Sequence, residues 1–290
     1  MSEMRARILD GRALARVVRE ALRQLAADYA LRFGRAAGLA IVRAGSDAPS
    51  DVYAEALMRV AESVGVAATL ISLPGDCTDE TLRASLERLN GDDTVQGVLM
   101  QLPLPPHLSQ RTVAEVIDPR KDVDGISLRS AGNLFLRLPS FVPSTCAAVV
   151  EMLDRSEIAL AGKHVVVVGA SNVVGKPLSF MLLHRDATVT MCHIFTRALA
   201  RWTLQADVLI VAAGKPGLVD GSMVKAGATV IDVGINVRDD GTIVGDVDFD
   251  AVSRVAGALS PVPGGVGQLT NLMLLKQTLL AGAVWLDDAE

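Results

Sequence analysis

Aromatic side chains are scarce in this chain: two Trp, two Tyr and six Phe among 290 residues. Half of the residues are nonetheless hydrophobic, so a sizeable core has to be built from Ala, Val and Leu. Cysteine is sparse as well. Cys77, Cys146 and Cys192 are far apart and unpatterned, which suggests neither a disulfide framework nor a zinc site. No apolar run approaches the ~20 residues that cross a bilayer. Residues 1–7 lack the apolar segment of a signal peptide, so the expected location is the reducing cytoplasm. Lys and Arg number 28 against 33 Asp and Glu. That balance, with no dense basic patch, excludes nucleic acid and anionic membranes as expected partners. The arginines between Arg5 and Arg23 alternate with Ala, Leu and Val at helical spacing and read as the solvated face of a helix. His107, His164 and His184 have no metal-ligand spacing, and no metal is expected. No G-x-S-x-G elbow is present, so serine hydrolase chemistry has no support.

What is present is organised around residues 163–177, KHVVVVGASNVVGKP. Val165 to Val168 read as a strand buried on both faces. Gly169 breaks the run, and 173–183 has helical spacing with Pro177 near its start. Strand, glycine turn and helix open a dinucleotide-binding unit, in which the helix N-terminus offers N–H groups and a positive dipole end to a pyrophosphate. The pattern is G-x-S-x-x-x-G (Gly169, Ser171, Gly175), not G-x-G-x-x-G. An ordinary buried strand and tight turn is the competing reading. Further strands are expected at 187–192, 206–213 and 228–234, alternating with helical stretches. That implies a parallel, doubly wound α/β sheet.

An N-terminal domain precedes this one. A helix is expected at 11–32, strands at 38–43, 67–73 and 97–101, and helices at 51–64, 78–90 and 111–117. On the 51–64 helix, Tyr53, Leu57, Val60 and Val64 are expected to share a face. The turn-rich segment 44–50 reads as a loop. Gln101 stands at the carboxyl end of its strand, where ligands gather in open α/β sheets. The charged loop 118–125 supplies too few oxygens for a metal. It reads as a salt-bridged loop, or as one aspartate holding a polar ligand. Residues 141–145 form the crossing between domains. The loop 260–267, SPVPGGVG, can bring main chain close to a ligand. A helix at 269–286 is expected to return to the N-terminal domain, giving domains of 1–145 plus 269–290 and of 146–268.

Five segments together resemble one family, the methylenetetrahydrofolate dehydrogenase/cyclohydrolase enzymes: Gln101-Leu102-Pro103-Leu104-Pro105, Lys121-Asp122-Val123-Asp124-Gly125, the 169–177 turn, Ile231-Asp232-Val233-Gly234-Ile235-Asn236, and 261–267. The resemblance covers nearly the whole chain. It implies two α/β domains with a cleft between them, a homodimer, a folate substrate, and NADP or NAD as cofactor. By position, Tyr53 resembles the aromatic that packs on the folate, Gln101 the active-site amide, and Asp124 the carboxylate that holds the pterin. These three are the candidate catalytic residues. Leu102, Pro263, Gly264, Gly265 and Val266 complete the substrate set. Gly169, Ala170, Ser171, Val174, Gly175, His193 and Ile235 match cofactor-contacting positions.

One departure stands out. The family pattern is Tyr, three residues, then a catalytic Lys; this chain has Tyr53-Ala54-Glu55-Ala56-Leu57. Arg59 lies about 200° around the helix from Leu57 and does not replace it. Removing a hydride from methylenetetrahydrofolate needs alignment but no base at carbon. Opening the methenyl ring with water needs proton transfer, worth about 10²–10⁴-fold. Dehydrogenase activity is therefore expected to survive and cyclohydrolase activity to be lost or weak. A catalytically silent folate- or nucleotide-binding relative is the alternative, and a dehydrogenase of shikimate type a third. After His193 this chain has Ile194, which cannot pair with phosphate, and no carboxylate stands there for a ribose. NAD and NADP stay near balance, with a lean away from strict NADP and with Arg197 or Arg201 as possible phosphate partners. Cys146, Ala148 and Gln268 also depart from the family's usual residues.

Overall fold

The computed structural model describes residues 5–45 and 48–287. In chain order the elements are β1 (Arg7–Ile8), α1 (Gly11–Phe33), β2 (Gly38–Ala44), α2 (Ala48–Val64), β3 (Ala67–Leu73), α3 (Asp79–Asn90), β4 (Gly97–Met100), α4 (Gln110–Val116), α5 (Leu128–Phe135), α6 (Ser144–Arg155), β5 (His164–Val168), α7 (Gly175–Leu183), β6 (Thr188–Cys192), α8 (Leu199–Thr203), β7 (Val208–Val211), β8 (Thr229–Asp232), β9 (Asn236–Val237), β10 (Ile243–Val244), α9 (Phe249–Ser253), β11 (Ala258–Leu259) and α10 (Gly267–Asp287). They form two compact units. One holds the chain up to Arg16 with Thr145–Thr270; the other holds Val17–Ser144 with the chain from Asn271 on.

The first unit is a six-stranded sheet in the order β1-β11-β8-β7-β5-β6. Every pairing in it is parallel. Val165 to Val168 and Val208 to Val211 are buried throughout, as strands covered on both faces must be. The order runs outward in both directions from β5, so β5 and β7 flank the switch point at which such sheets bind ligands. An N-terminal domain beginning at residue 1 is not what the structure has. The stretch up to Arg16 joins this sheet because β1 completes its edge. Ala6, Arg7 and Leu9 donate their N–H groups to Ser253, Gly257 and Leu259 at 2.8–2.9 Å.

The second unit is built on a three-stranded parallel sheet, β3-β2-β4. Its central strand β2 is buried along nearly its whole length, while β3 alternates at the edge. α3 begins where Thr78 caps it, the Thr78 hydroxyl accepting from the Thr81 N–H at 3.2 Å. Leu82, Leu86 and Leu89 recur at spacings of four and three and enter the core. Each buried leucine contributes about 1.5–3 kcal/mol. Ser46 and Asp47, part of the expected 44–50 loop, lie outside the described residues; Ala48 already opens α2. The buried face of α2 is Ala54, Leu57, Ala61 and Val64; of the expected face it keeps Leu57 and Val64, while Val60 is half-buried and Tyr53 exposed. Tyr53 sits at the edge of that stripe, 100° from Ala54, and is 37 % exposed. α5 was not expected from the pattern. Its start is fixed by Ser127, whose Oγ accepts from the Ser130 N–H at 3.1 Å.

Candidate active site

The turn after β5 is made almost entirely of main chain. Gly169 has φ +124°, and a Cβ there would lie 2.1 Å from the Ala212 carbonyl oxygen. A Cβ on Gly175 would lie 1.9 Å from the Gly169 carbonyl oxygen. Both positions therefore admit only glycine. The Ser171 hydroxyl accepts from the Val174 and Gly175 N–H groups at 3.1 and 3.4 Å and closes the turn. The Cys146 thiol donates to the Val174 carbonyl at 3.3 Å. α7 starts at Gly175 with Pro177 in its first turn. A crowded glycine turn leading into a helix N-terminus at the switch point fits a dinucleotide pyrophosphate. Gly169, Ala170, Ser171, Val174 and Gly175 are all brought together here.

Two of the cavities in the same unit involve candidate residues. One, of about 480 Å³, opens at the end of β6; it is lined by His193, Thr196, Arg197, Arg201 and Trp202 among others, and by no carboxylate. His193 holds the turn through its N–H to the Thr196 hydroxyl at 2.8 Å and through Nδ1, which accepts from Phe195 N–H at 3.1 Å. Ile194 and Phe195 are exposed at its tip. The second cavity, about 150 Å³, brings Ile235 together with Pro263, Gly264, Gly265 and Val266. Ile235 is exposed there, whereas Val266 is buried. Asp232 lines this cavity, and both Asp232 and the Asp246 bonded to it are buried. Asp246 accepts from the N–H groups of Ala213, Gly214 and Lys215 at 2.6–2.9 Å. Asp232 accepts from those of Gly234, Asp246 and Val247 at 3.0 Å. Burial first, and the neighbouring Asp246 carboxylate with it, push Asp232 up to about 6 against the pull of its donors.

In the second unit, the candidate residues gather at the carboxyl ends of β2 and β4. Gln101 follows β4 directly, and its N–H bonds the Val42 carbonyl at 2.9 Å. Its side chain is 8 % exposed. Nε2 donates to the Ser50 carbonyl at 3.1 Å; Oε1 is buried without a hydrogen-bond partner among the described residues. Leu102 is partly exposed. Asp124 accepts from the Ser144 N–H at 2.8 Å. Burial pushes its carboxyl up to about 6, against that donor. Desolvation, with the Asp124 charge added, pushes the Tyr53 phenol up to about 12. Leu57 is 0 % exposed. Arg59 pairs with Glu55 at 3.6 Å, and both are exposed. Of the 118–125 loop, Arg120 pairs with Asp118 at 2.6 Å, and Asp122 accepts from the Ile126 and Ser127 N–H groups at 3.0 and 2.8 Å.

The two halves of the chain match two family profiles. Residues 9–124 match the tetrahydrofolate dehydrogenase/cyclohydrolase catalytic domain, and residues 143–284 match the NAD(P)-binding domain of the same enzymes. The chain belongs to the tetrahydrofolate dehydrogenase/cyclohydrolase family. It is 46 % identical to the bifunctional protein FolD of Roseiflexus sp. (strain RS-1) over 278 residues, 96 % of each chain. With that of Bordetella petrii it is 47 % identical over 276 residues, 95 % of this chain and 94 % of the relative. The FolD crystal structure from Campylobacter jejuni superposes with a TM-score of 0.94 at 41 % identity, covering 96 % of this chain and 99 % of that one. The Trypanosoma brucei FolD, solved with NADP and an inhibitor, gives 0.92 at 36 %, covering 97 % and 99 %. Shikimate dehydrogenase from Aquifex aeolicus, at 13 % identity and 0.52, shares the fold alone.

Within this family member, three supporting side chains carry no motif. Gln277 on α10 donates to the Val123 and Val142 carbonyls at 2.8 and 2.9 Å and accepts from the Val142 N–H at 2.9 Å. It thereby clamps the segments that carry Asp124 and Ser144. The signal available was one amide, between Lys276 and Thr278, in the leucine-rich stretch LMLLKQTLL. Arg43, charged within the buried β2, and Asp246, in a Gly-Asp-Val turn, are the other two.

Proposed function

We propose that this chain catalyses NAD(P)-dependent oxidation of 5,10-methylenetetrahydrofolate to the 5,10-methenyl form, with ring opening to 10-formyltetrahydrofolate lost or weak. The observation that carries the second half is Leu57. It is fully buried in the stripe of α2, four residues after Tyr53, where the family resemblance calls for lysine. In the second unit the folate is assigned to Tyr53, Gln101, Leu102 and Asp124. The cofactor is assigned to Gly169, Ala170, Ser171, Val174, Gly175, His193 and Ile235.

When bound, the nicotinamide accepts the hydride that leaves the carbon between N5 and N10, and the two nitrogens share the resulting positive charge. No proton leaves that carbon, so the protein has only to align it. Tyr53 stays a neutral phenol at any physiological pH and offers its ring as a packing surface. Asp124, with its pKa near 6, is mainly a carboxylate at neutral pH and accepts hydrogen bonds from the pterin. Ring opening differs, because water attacks the methenyl carbon and protons pass from oxygen to nitrogen. Gln101 and Leu57 cannot carry them.

His193, Arg197 and Arg201 around a cavity without a carboxylate favour the 2′-phosphate of NADP. This moves the reading from balance toward NADP. The active form is taken as a homodimer, which sedimentation checks. The deciding assay supplies methylenetetrahydrofolate with NAD or NADP in parallel and measures reduced cofactor, methenyl and 10-formyl products. Methenyl product accumulating above its spontaneous hydrolysis is expected. Enzymatic ring opening at a rate comparable to oxidation would overturn the loss, and no oxidation with either cofactor would move the reading to a silent binding protein. Leu57→Lys is expected to accelerate ring opening by at least about 10-fold.

A further inference from the structure

We propose that Arg43 is a positioning residue for Gln101: a fixed cation on β2 that sets the carboxamide in a chain whose α2 carries leucine at position 57. This rests on the function proposed above. Register places the groups together. Val42 pairs with Met100 on β4, and Arg43 pairs with Ser72 on β3. Continuing by one residue sets Arg43 beside Gln101, whose N–H still bonds Val42. Paired residues of neighbouring strands project to one face. Ser72, Arg43 and Gln101 thus form a row across the carboxyl ends of the sheet, and Arg43 Nη2 donates to Ser72 Oγ at 3.1 Å.

Both side chains then reach the same turn. Arg43 Nη1 pairs with the Asp51 carboxylate. Gln101 Nε2 donates to the carbonyl of Ser50, the adjacent residue. Holding Asp51 therefore holds the carbonyl that fixes the amide nitrogen. With Nε2 engaged, Oε1 is left as the acceptor for the folate. Arg43 is 9 % exposed and its Nε has no partner among the described residues. A guanidinium withdrawn this far loses solvation that a single ion pair scarcely restores, so a purely structural salt bridge is a poor reason for it. Asp51 neutralises the charge, which keeps it from opposing the developing methenyl cation. Arginine does not release its proton. It can orient Gln101 for hydride transfer and cannot shuttle protons for ring opening.

The test is a double-mutant cycle on the full-length enzyme with methylenetetrahydrofolate and NADP, or NAD if that is the cofactor the enzyme uses. Gln101→Ala and Arg43→Met are each expected to lower kcat/KM for the folate by about 10–100-fold, with KM for the cofactor unchanged. The double variant should be no worse than Gln101→Ala by more than about twofold. Asp51→Asn should repeat Arg43→Met at an unchanged m-value in urea, and Arg43→Lys should recover part of kcat. Losses that multiply in the double variant would overturn the proposal, as would wild-type kcat/KM in Arg43→Met. If Arg43→Met does not fold, Asp51→Asn takes its place in the cycle. If the wild type oxidises nothing, the function is wrong; the same cycle read as calorimetric affinity for 5-formyltetrahydrofolate still decides Arg43, with coupling supporting it and additivity overturning it.

Discussion

The glycine turn after β5 and the Gln101 region, the two sites proposed for cofactor and folate, are built by opposite means. At Gly169 and Gly175 the working surface is main chain, held by carbonyls that leave no room for a Cβ. Around Gln101 it is side chain, held by Arg43, Asp51, Ser144 and Gln277 from four separate segments. A site of main chain tolerates no added atom and is spelled out by its glycines. A site of side chains can lose one group and still keep its frame, as we propose for the position that Leu57 occupies.

The sharpest way to break the contrast is Gly175→Ala. A methyl 1.9 Å from a carbonyl oxygen has to displace the turn, and a shift of that kind costs about 100-fold or more in kcat/KM for the cofactor. Folate affinity, measured by calorimetry, should be retained; cofactor affinity equal to wild type would refute the crowding argument. Next is Gln277→Leu. It strands two carbonyls and an N–H in the second unit, which should lower stability to urea by about 2–4 kcal/mol. Folate affinity should fall about 10-fold, with cofactor binding unchanged. Stability within experimental error of wild type would remove Gln277 from the frame.

A smaller effect is expected from pH. Asp124 has a folded-state pKa raised from 3.8 to about 6, so the folded protein binds its proton more tightly than the unfolded chain does. Its contribution to stability is full below about pH 4 and is lost as pH rises through 6. The urea midpoint of Asp124→Asn, relative to wild type, should therefore improve between pH 5 and pH 7; a pH-independent difference would contradict the burial of this carboxyl. The smallest effect is Arg59→Ala. Its exposed pair with Glu55 is worth about 0.3–0.5 kcal/mol, and oxidation rates should not change. A ring-opening rate that falls in this variant would mean that Arg59 stands in for the lysine the family resemblance calls for at position 57.

What could be read from sequence follows the same division. The β5 turn and the buried valine strands were legible because each is continuous in sequence and tied to a local constraint. The edge strand β1 was not, since two residues carry no periodicity and their partner, β11, lies some 250 residues away in the chain. α5 was not expected because it spans only eight residues, about two turns, and includes Gly132; the Ser127 cap marks its start. The face of α2 was misplaced by centring it on Tyr53: small Ala54 and Ala61 define the packed stripe with Leu57 and Val64. Arg43, Gln277 and Asp246 were overlooked because their meaning depends on what the fold brings opposite them.

The return of α10 to the second unit has a consequence for biosynthesis. A ribosome releases Tyr53, Gln101 and Asp124 long before it releases Gln277. The nascent chain therefore carries these three residues without the amide that clamps the Asp124 segment until residue 277 is made. The segments of the six-stranded sheet have all emerged by Thr270. Folding of the cofactor half can thus run ahead, while the folate half is completed only by chain made after Thr270.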